Sequence, residues 1–223
     1  MGERVPVRAD DVRDAVAAAV GALSGGRDRD WSVPAGGLDW TCWETVEHVA
    51  DDLFAYAAQL AARDTTAYLP FLATPRYPDG EPNTIQAQPD AGPDGLLAVL
   101  SACGALLVAA VTAAPPDARG YHTYGLADAE ASAAMGVLET LVHVDDVARG
   151  LGLEWRPDDD LCARVLARLM ADVEVGEQAP WEVLRWATGR TELPGRPRRT
   201  DWRWHNERPE HSSCVTDYGL RLL

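Results

Sequence analysis

The sequence predicts a mainly α-helical fold: a four-helix bundle with extra C-terminal helices. Two observations predict it. Four long stretches carry apolar residues at helical spacing, with one long Pro- and Gly-rich connection among them. No β-α alternation or glycine fingerprint supports a nucleotide-binding sheet. With 223 residues the chain can bury one sizeable core. Residues 1–190 read as the bundle, and 191–223 as a tail packed on it that is not an independent domain.

The first helix is expected from Asp10 to Leu23, closed by Gly25-Gly26. The second is capped by Asp39 or Thr41, with Glu44 three residues after Thr41 as in a capping box. Val46, Ala50, Leu53, Ala57 and Leu60 then mark one packed face. Residues 70–95 are rich in Pro, Gly, Asp and Asn, and read as a long loop that could serve as a lid or pocket wall.

Leu96 to Ala114 is 19 residues without a charge, long enough to span a bilayer. Its Ala content, its Ser101, Cys103, Gly104 and Thr112, and flanks without an aromatic belt favour a buried bundle helix instead. The aromatic loop Tyr121-His122-Thr123-Tyr124-Gly125 introduces a fourth helix, from Ala127 to Arg149, stopped by Gly150. Asp158 to Val175 reads as an amphipathic helix, and Trp181 to Thr188 as a short one ended by Gly189. In the tail, Trp202 and Trp204 alternate with polar residues, so a small β-hairpin with Cys214–Leu222 is expected.

Net charge is −15 and the pI about 4.6, which disfavours nucleic acid and anionic membrane surfaces as partners. All 20 basic residues are arginine, which excludes Schiff-base chemistry and a P-loop lysine. Cys42, Cys103, Cys162 and Cys214 show no ligand-like spacing, so a cysteine zinc site is not expected. The opening residues lack the apolar core of a signal peptide, so a cytoplasmic location with reduced thiols is the default expectation.

The stretch Met135 to Asp146 is the one that could carry chemistry. At helical spacing Glu139 and His143 lie about 40° apart on one face. Apolar residues flank them on both sides, so both are expected to be buried. Burying a carboxylate without a partner is expensive. Either a divalent metal or a Glu–His hydrogen bond would meet that cost, and the spacing leaves both open. His48 is the other helix-interior histidine. It falls off the Val46–Leu53 stripe, so periodicity reads it as exposed or capping rather than as a ligand. Asp146, three residues beyond His143 on the same face, could orient the imidazole or simply cap a solvated edge. Asp51 shares a side of its helix with His48, and His122 and Tyr124 could line a pocket mouth. The tail arginines Arg196, Arg198, Arg199 and Arg203 could pair with the acidic bundle or hold an anion.

Two segments carry a family resemblance. Asp39 to Ala50, with His48, resembles the DinB-superfamily helix that bears the first metal histidine. Ala134 to Asp146 resembles the E-x-x-x-H-x-x-D helix of the mycothiol-dependent maleylpyruvate isomerase N-terminal domain family. Gly150 to Pro157 and Leu184 to Arg190 are similar to its later landmarks, so the likeness spans residues 38–190. It implies a DinB-like four-helix bundle with a metal, usually zinc, on His48, Glu139 and His143. Three ligands would leave positions open for water, a thiol or substrate. The implied function is a metal-dependent thiol transferase or isomerase acting on a small molecule with mycothiol or a related thiol. The alternatives are a non-catalytic bundle that binds a small molecule or a metal, and an apo protein with a buried Glu–His pair. A homodimer is compatible with either. Two departures stand out. Relatives often carry an aromatic residue at position 145, where this chain has Asp145. The isomerase proper also has a C-terminal α/β domain, and only about 45 residues follow the fifth helix here, fewer than the ~50 of a minimal domain. Maleylpyruvate isomerisation itself is therefore not expected.

Overall fold

The structure is a computed structural model, and it describes residues 4–76, 80 and 82–207. Its main elements are α1 (Ala9–Leu23), α2 (Cys42–Ala62), α3 (Gly92–Ala113), α4 (Ala129–Leu151), α5 (Asp159–Leu169) and α6 (Pro180–Ala187). A two-residue hairpin, β1 (Thr74–Pro75) with β2 (Pro82–Asn83), lies in the long loop. The architecture is the mainly helical, DinB-like one that the sequence implies. The first four helices form the bundle: α1 and α2 each pack on both α3 and α4, while α5 rests on α4 and α6 on α5.

Local chemistry explains where the helices begin and end. Thr41 accepts a hydrogen bond from the amide of Glu44, and the Glu44 carboxylate accepts one from the amide of Thr41, so α2 starts with the expected capping box. Asp128 and Asp158 cap α4 and α5, their carboxylates accepting from the amides of Ala131 and Leu161. Three helix ends and one expected strand differ from expectation. Helix α3 starts four residues earlier than the uncharged run, at Gly92, because Pro93 suits a first turn. Helix α4 runs through Gly150 and stops at Gly152, which takes the left-handed conformation at φ 66°. Gly150 serves packing instead: a Cβ there would lie 2.5 Å from the Pro34 carbonyl and 2.6 Å from Cys42 Sγ. Helix α5 ends at Leu169 rather than Val175. Trp202–Trp204 forms no strand, and Cys214–Leu222 lies outside the described residues. Trp204 is buried, and the segment is held by the amides of His205 and Asn206, which donate to Leu169 and Tyr124.

Every residue of α4 from Glu130 to Ala148 is buried, because the bundle covers one side and α5 with the tail covers the other. Helix α3 buries only one face, through Leu96, Leu100, Cys103 and Leu107, and leaves Leu106 half exposed. It is long and apolar enough to cross a membrane by length and composition alone.

The long loop is fastened to α2. Glu47, fully buried, accepts from Arg76 and from the amide of Ala87, and Asp51 accepts from the amides of Thr84 and Ile85. These carboxylates, one turn apart, face the loop, whereas His48 and Asp52 are turned roughly 100° around the helix from them. The described residues of 70–95 thus sit outside the lining of the cleft described next, contrary to the expected lid or pocket wall.

Candidate metal centre

Helix α2 supplies His48 and α4 supplies Glu139 and His143. The packing of these helices brings one donor atom from each residue within 4.8 Å of the others. The rings of His48 and His143 meet edge-on with centroids 5.1 Å apart, and Trp40 stands 4.8 Å from His48. His48 is therefore neither exposed nor a cap. The stripe calculation sees only the face of α2 turned to the core, and misses the flank turned to α4.

Hydrogen bonds set the direction of the His143 ring. Nδ1 lies 3.3 Å from Asp146, and Nε2 lies 3.1 Å from Glu139. Asp146 is in turn gripped by Arg190, whose terminal nitrogen is 2.7 Å from the same carboxylate oxygen and 3.3 Å from Nδ1. With Nδ1–H donating to Asp146, Nε2 is left facing Glu139 and His48.

Burial works against charge on all of these groups, and neighbours reverse it at some. Burial disfavours the His143 imidazolium, yet the bonds to Asp146 and Glu139 outweigh it and raise its pKa. Burial likewise opposes the Glu139 carboxylate, but the hydrogen bond and charge of His143 lower its pKa overall. At His48 burial dominates, with His143 adding to it, and the pKa is pushed down to about 4, so this imidazole is neutral. Both shifts favour a proton on His143 facing the Glu139 carboxylate, at the place a cation would take. The donor set of two imidazoles and one carboxylate suits a divalent ion such as zinc.

The cluster forms the floor of a cleft of about 680 Å³. His122 and Tyr124 line it, and His122 Nδ1 accepts the Tyr124 amide at 3.0 Å. Asp51 does not reach it, being occupied with the loop. Sequence reasoning missed Asp52, which lines the cleft and lies 3.3 Å from His48 Nε2. Burial, then the charges of Glu139 and Asp51, raises its pKa well above the ordinary carboxylate value. The i,i+4 spacing of His48 and Asp52 was the available signal. Trp40 and Arg190 were also missed as site residues, and no spacing links either to His143. Asp145 points elsewhere, 3.2 Å from Arg185.

The thiols among the described residues are poor nucleophiles. Cys42, Cys103 and Cys162 are buried and unpaired, and burial pushes the first two up to about 11 and the third to about 12.

A model of the mycothiol maleylpyruvate isomerase N-terminal domain matches residues 9–148, which include all three clustered donors. Comparisons with curated proteins and with solved structures return no match.

Proposed function

Because the chain belongs to the mycothiol maleylpyruvate isomerase N-terminal domain family, we propose that it is a metal-dependent enzyme of the thiol-transferase or isomerase kind. His48, Glu139 and His143 hold a divalent ion, zinc being the one this donor set suits. The observation that carries the reading is the convergence of three donors within 4.8 Å at the floor of an open cleft. Bound there, the ion would lower the pKa of a low-molecular-weight thiol such as mycothiol, or of water, and supply a nucleophile near neutral pH. An external thiol fits because the three cysteines among the described residues are buried and cannot serve.

The chain's own residues have distinct tasks. Asp146, backed by Arg190, keeps the His143 Nε2 lone pair aimed into the site. Asp52, held protonated more readily than an ordinary carboxyl, faces the cleft beside His48 and can give or take a proton at a substrate atom. Trp40 covers both histidines and keeps water from that side.

Metal analysis by mass spectrometry of untagged protein tests the centre. We expect about one divalent ion per chain, lost in His143→Ala, and thiol-dependent turnover only in the loaded protein. Protein that takes up no metal even on reconstitution would leave Glu139 and His143 as a buried polar pair and end the proposal. Loaded protein without turnover for any thiol would leave a binding protein.

A further inference from the structure

The outer wall of the cleft comes from the segment after α6, beyond the part of the chain that the family model matches. Two arginines stand in that wall. Arg198 donates through Nε to the carbonyl of Gly189, which fixes the guanidinium plane and leaves its terminal nitrogens uncommitted. Arg199 lies against Trp186, its guanidinium carbon 5.3 Å from the ring centroid. Among the described residues neither has a carboxylate partner, although the chain carries 35 acidic residues. Arg190, nearer the floor, is by contrast fully engaged by Asp146.

Unpaired arginines at a cleft mouth in so acidic a chain need a reason. In the metal-free cleft the carboxylates of Glu139 and Asp52 oppose an entering anion, and cations at the wall offset them. A planar guanidinium with free terminal nitrogens matches the two oxygens of a carboxylate. Much of the remaining lining is aromatic. Trp40 lies by the histidines, and Tyr124 meets Trp204 edge-on with centroids 5.0 Å apart, with Trp202 beside it at 6.2 Å. Such faces take a flat ring. A volume near 680 Å³ lies within the roughly 300–1,000 Å³ of small-molecule sites.

We propose that the cleft binds a planar aromatic carboxylate, its ring among Trp40, Tyr124 and Trp202 and its carboxylate on Arg198 and Arg199. The ring is thereby presented to the His48–Glu139–His143 floor. The inference rests on the metal-centred reading in taking this cleft as the substrate site, but the binding itself does not need the metal.

The test is calorimetric titration with 1-naphthoate and with the neutral 1-naphthamide, which shares its ring. Both are run on wild type and Arg198→Gln/Arg199→Gln, each metal-loaded and chelator-treated. We expect naphthoate to bind wild type roughly tenfold tighter than naphthamide, with the preference abolished in the double variant whether or not metal is present. Arg198 is exposed, so the single Arg198→Gln serves if the double variant does not fold, with a partial loss expected. Equal binding of the two compounds to wild type would overturn the proposal. So would a preference that survives the arginine substitutions, or one that disappears only on removing metal, which would place the carboxylate on the ion. A protein that holds no metal yet prefers naphthoate through these arginines would sink the metal reading and leave the subsite standing.

Discussion

Asp146 is 2% exposed and does not itself line the cleft, yet it decides which way His143 faces. Its carboxylate accepts from Arg190 and from Nδ1, and burial, which opposes its charge, is outweighed by these partners so that its pKa is lowered. Replacing it by Asn keeps the shape but offers a neutral acceptor, and can turn an N–H toward Nδ1 and reverse the tautomer. Metal affinity of Asp146→Asn should fall by about 10–100-fold, as measured by competition with a chromophoric chelator. Asp145→Asn, one residue away and facing Arg185, should leave that affinity unchanged. If both variants bind metal like wild type, Asp146 does not position the ring. Glu139 and His143 were legible at this scale because one helical turn joins them, and Asp146 because it follows on the same face. The Arg190 contact was not, since it joins residues 44 positions apart in the chain.

At the scale of elements, Gly150 tests what the end of α4 is for. Ala is favoured over Gly by about 1 kcal/mol in a helix interior, so propensity alone predicts that Gly150→Ala stabilises. Against it stands the close approach of the Pro34 carbonyl and Cys42 Sγ to where a Cβ would be. The carbonyl belongs to a backbone tied to α2 by the amide bonds of Ala35 and Cys42, so it cannot step aside cheaply. Overpacking costs of about 1–3 kcal/mol then exceed the propensity gain. Thermal unfolding of Gly150→Ala should show a Tm lowered by a few degrees; a raised Tm would mean that the α4–α2 junction has room. The same position shows why the sequence misplaces this helix end. A glycine looks the same as a stop signal or as a packing notch, and only the partner helix distinguishes them. The capping box of α2 is local, so it was readable in full. The Trp202–Trp204 segment was not, because its order comes from bonds to Leu169 and Tyr124 rather than from a neighbouring strand.

For the whole molecule, the −15 charge is held together by a few cross-chain clasps whose pH behaviour opposes that of the buried acids. Glu130 accepts from Arg4 and from the amide of Val7 and lies 3.7 Å from Arg168, while Asp11 takes both terminal nitrogens of Arg164 at 2.7 Å. Burial works against both carboxylates, but these partners lower their pKa values in the folded state. Their stabilisation is therefore present above the unfolded pKa and lost as pH falls through the lowered folded value. Asp51, Asp52 and Asp145 have pKa values raised, chiefly by burial. They cost stability at neutral pH, and that cost is relieved as they take up protons on mild acidification. The general repulsion of an acidic chain eases in the same direction. Against both stand the buried imidazoles of His48 and His122, pushed down to about 4, for which the unfolded chain takes up protons first. Stability of metal-free protein should therefore fall as pH drops from about 6.5, and fall further below about pH 4 as the clasps are lost. Urea unfolding across that range measures it directly. Glu130→Gln should lose about 2 kcal/mol at neutral pH and show a shallower fall in acid, since the group that titrates has gone. An equally steep acid fall in this variant would place the linkage on other groups and leave the clasp at α4 without a role in it.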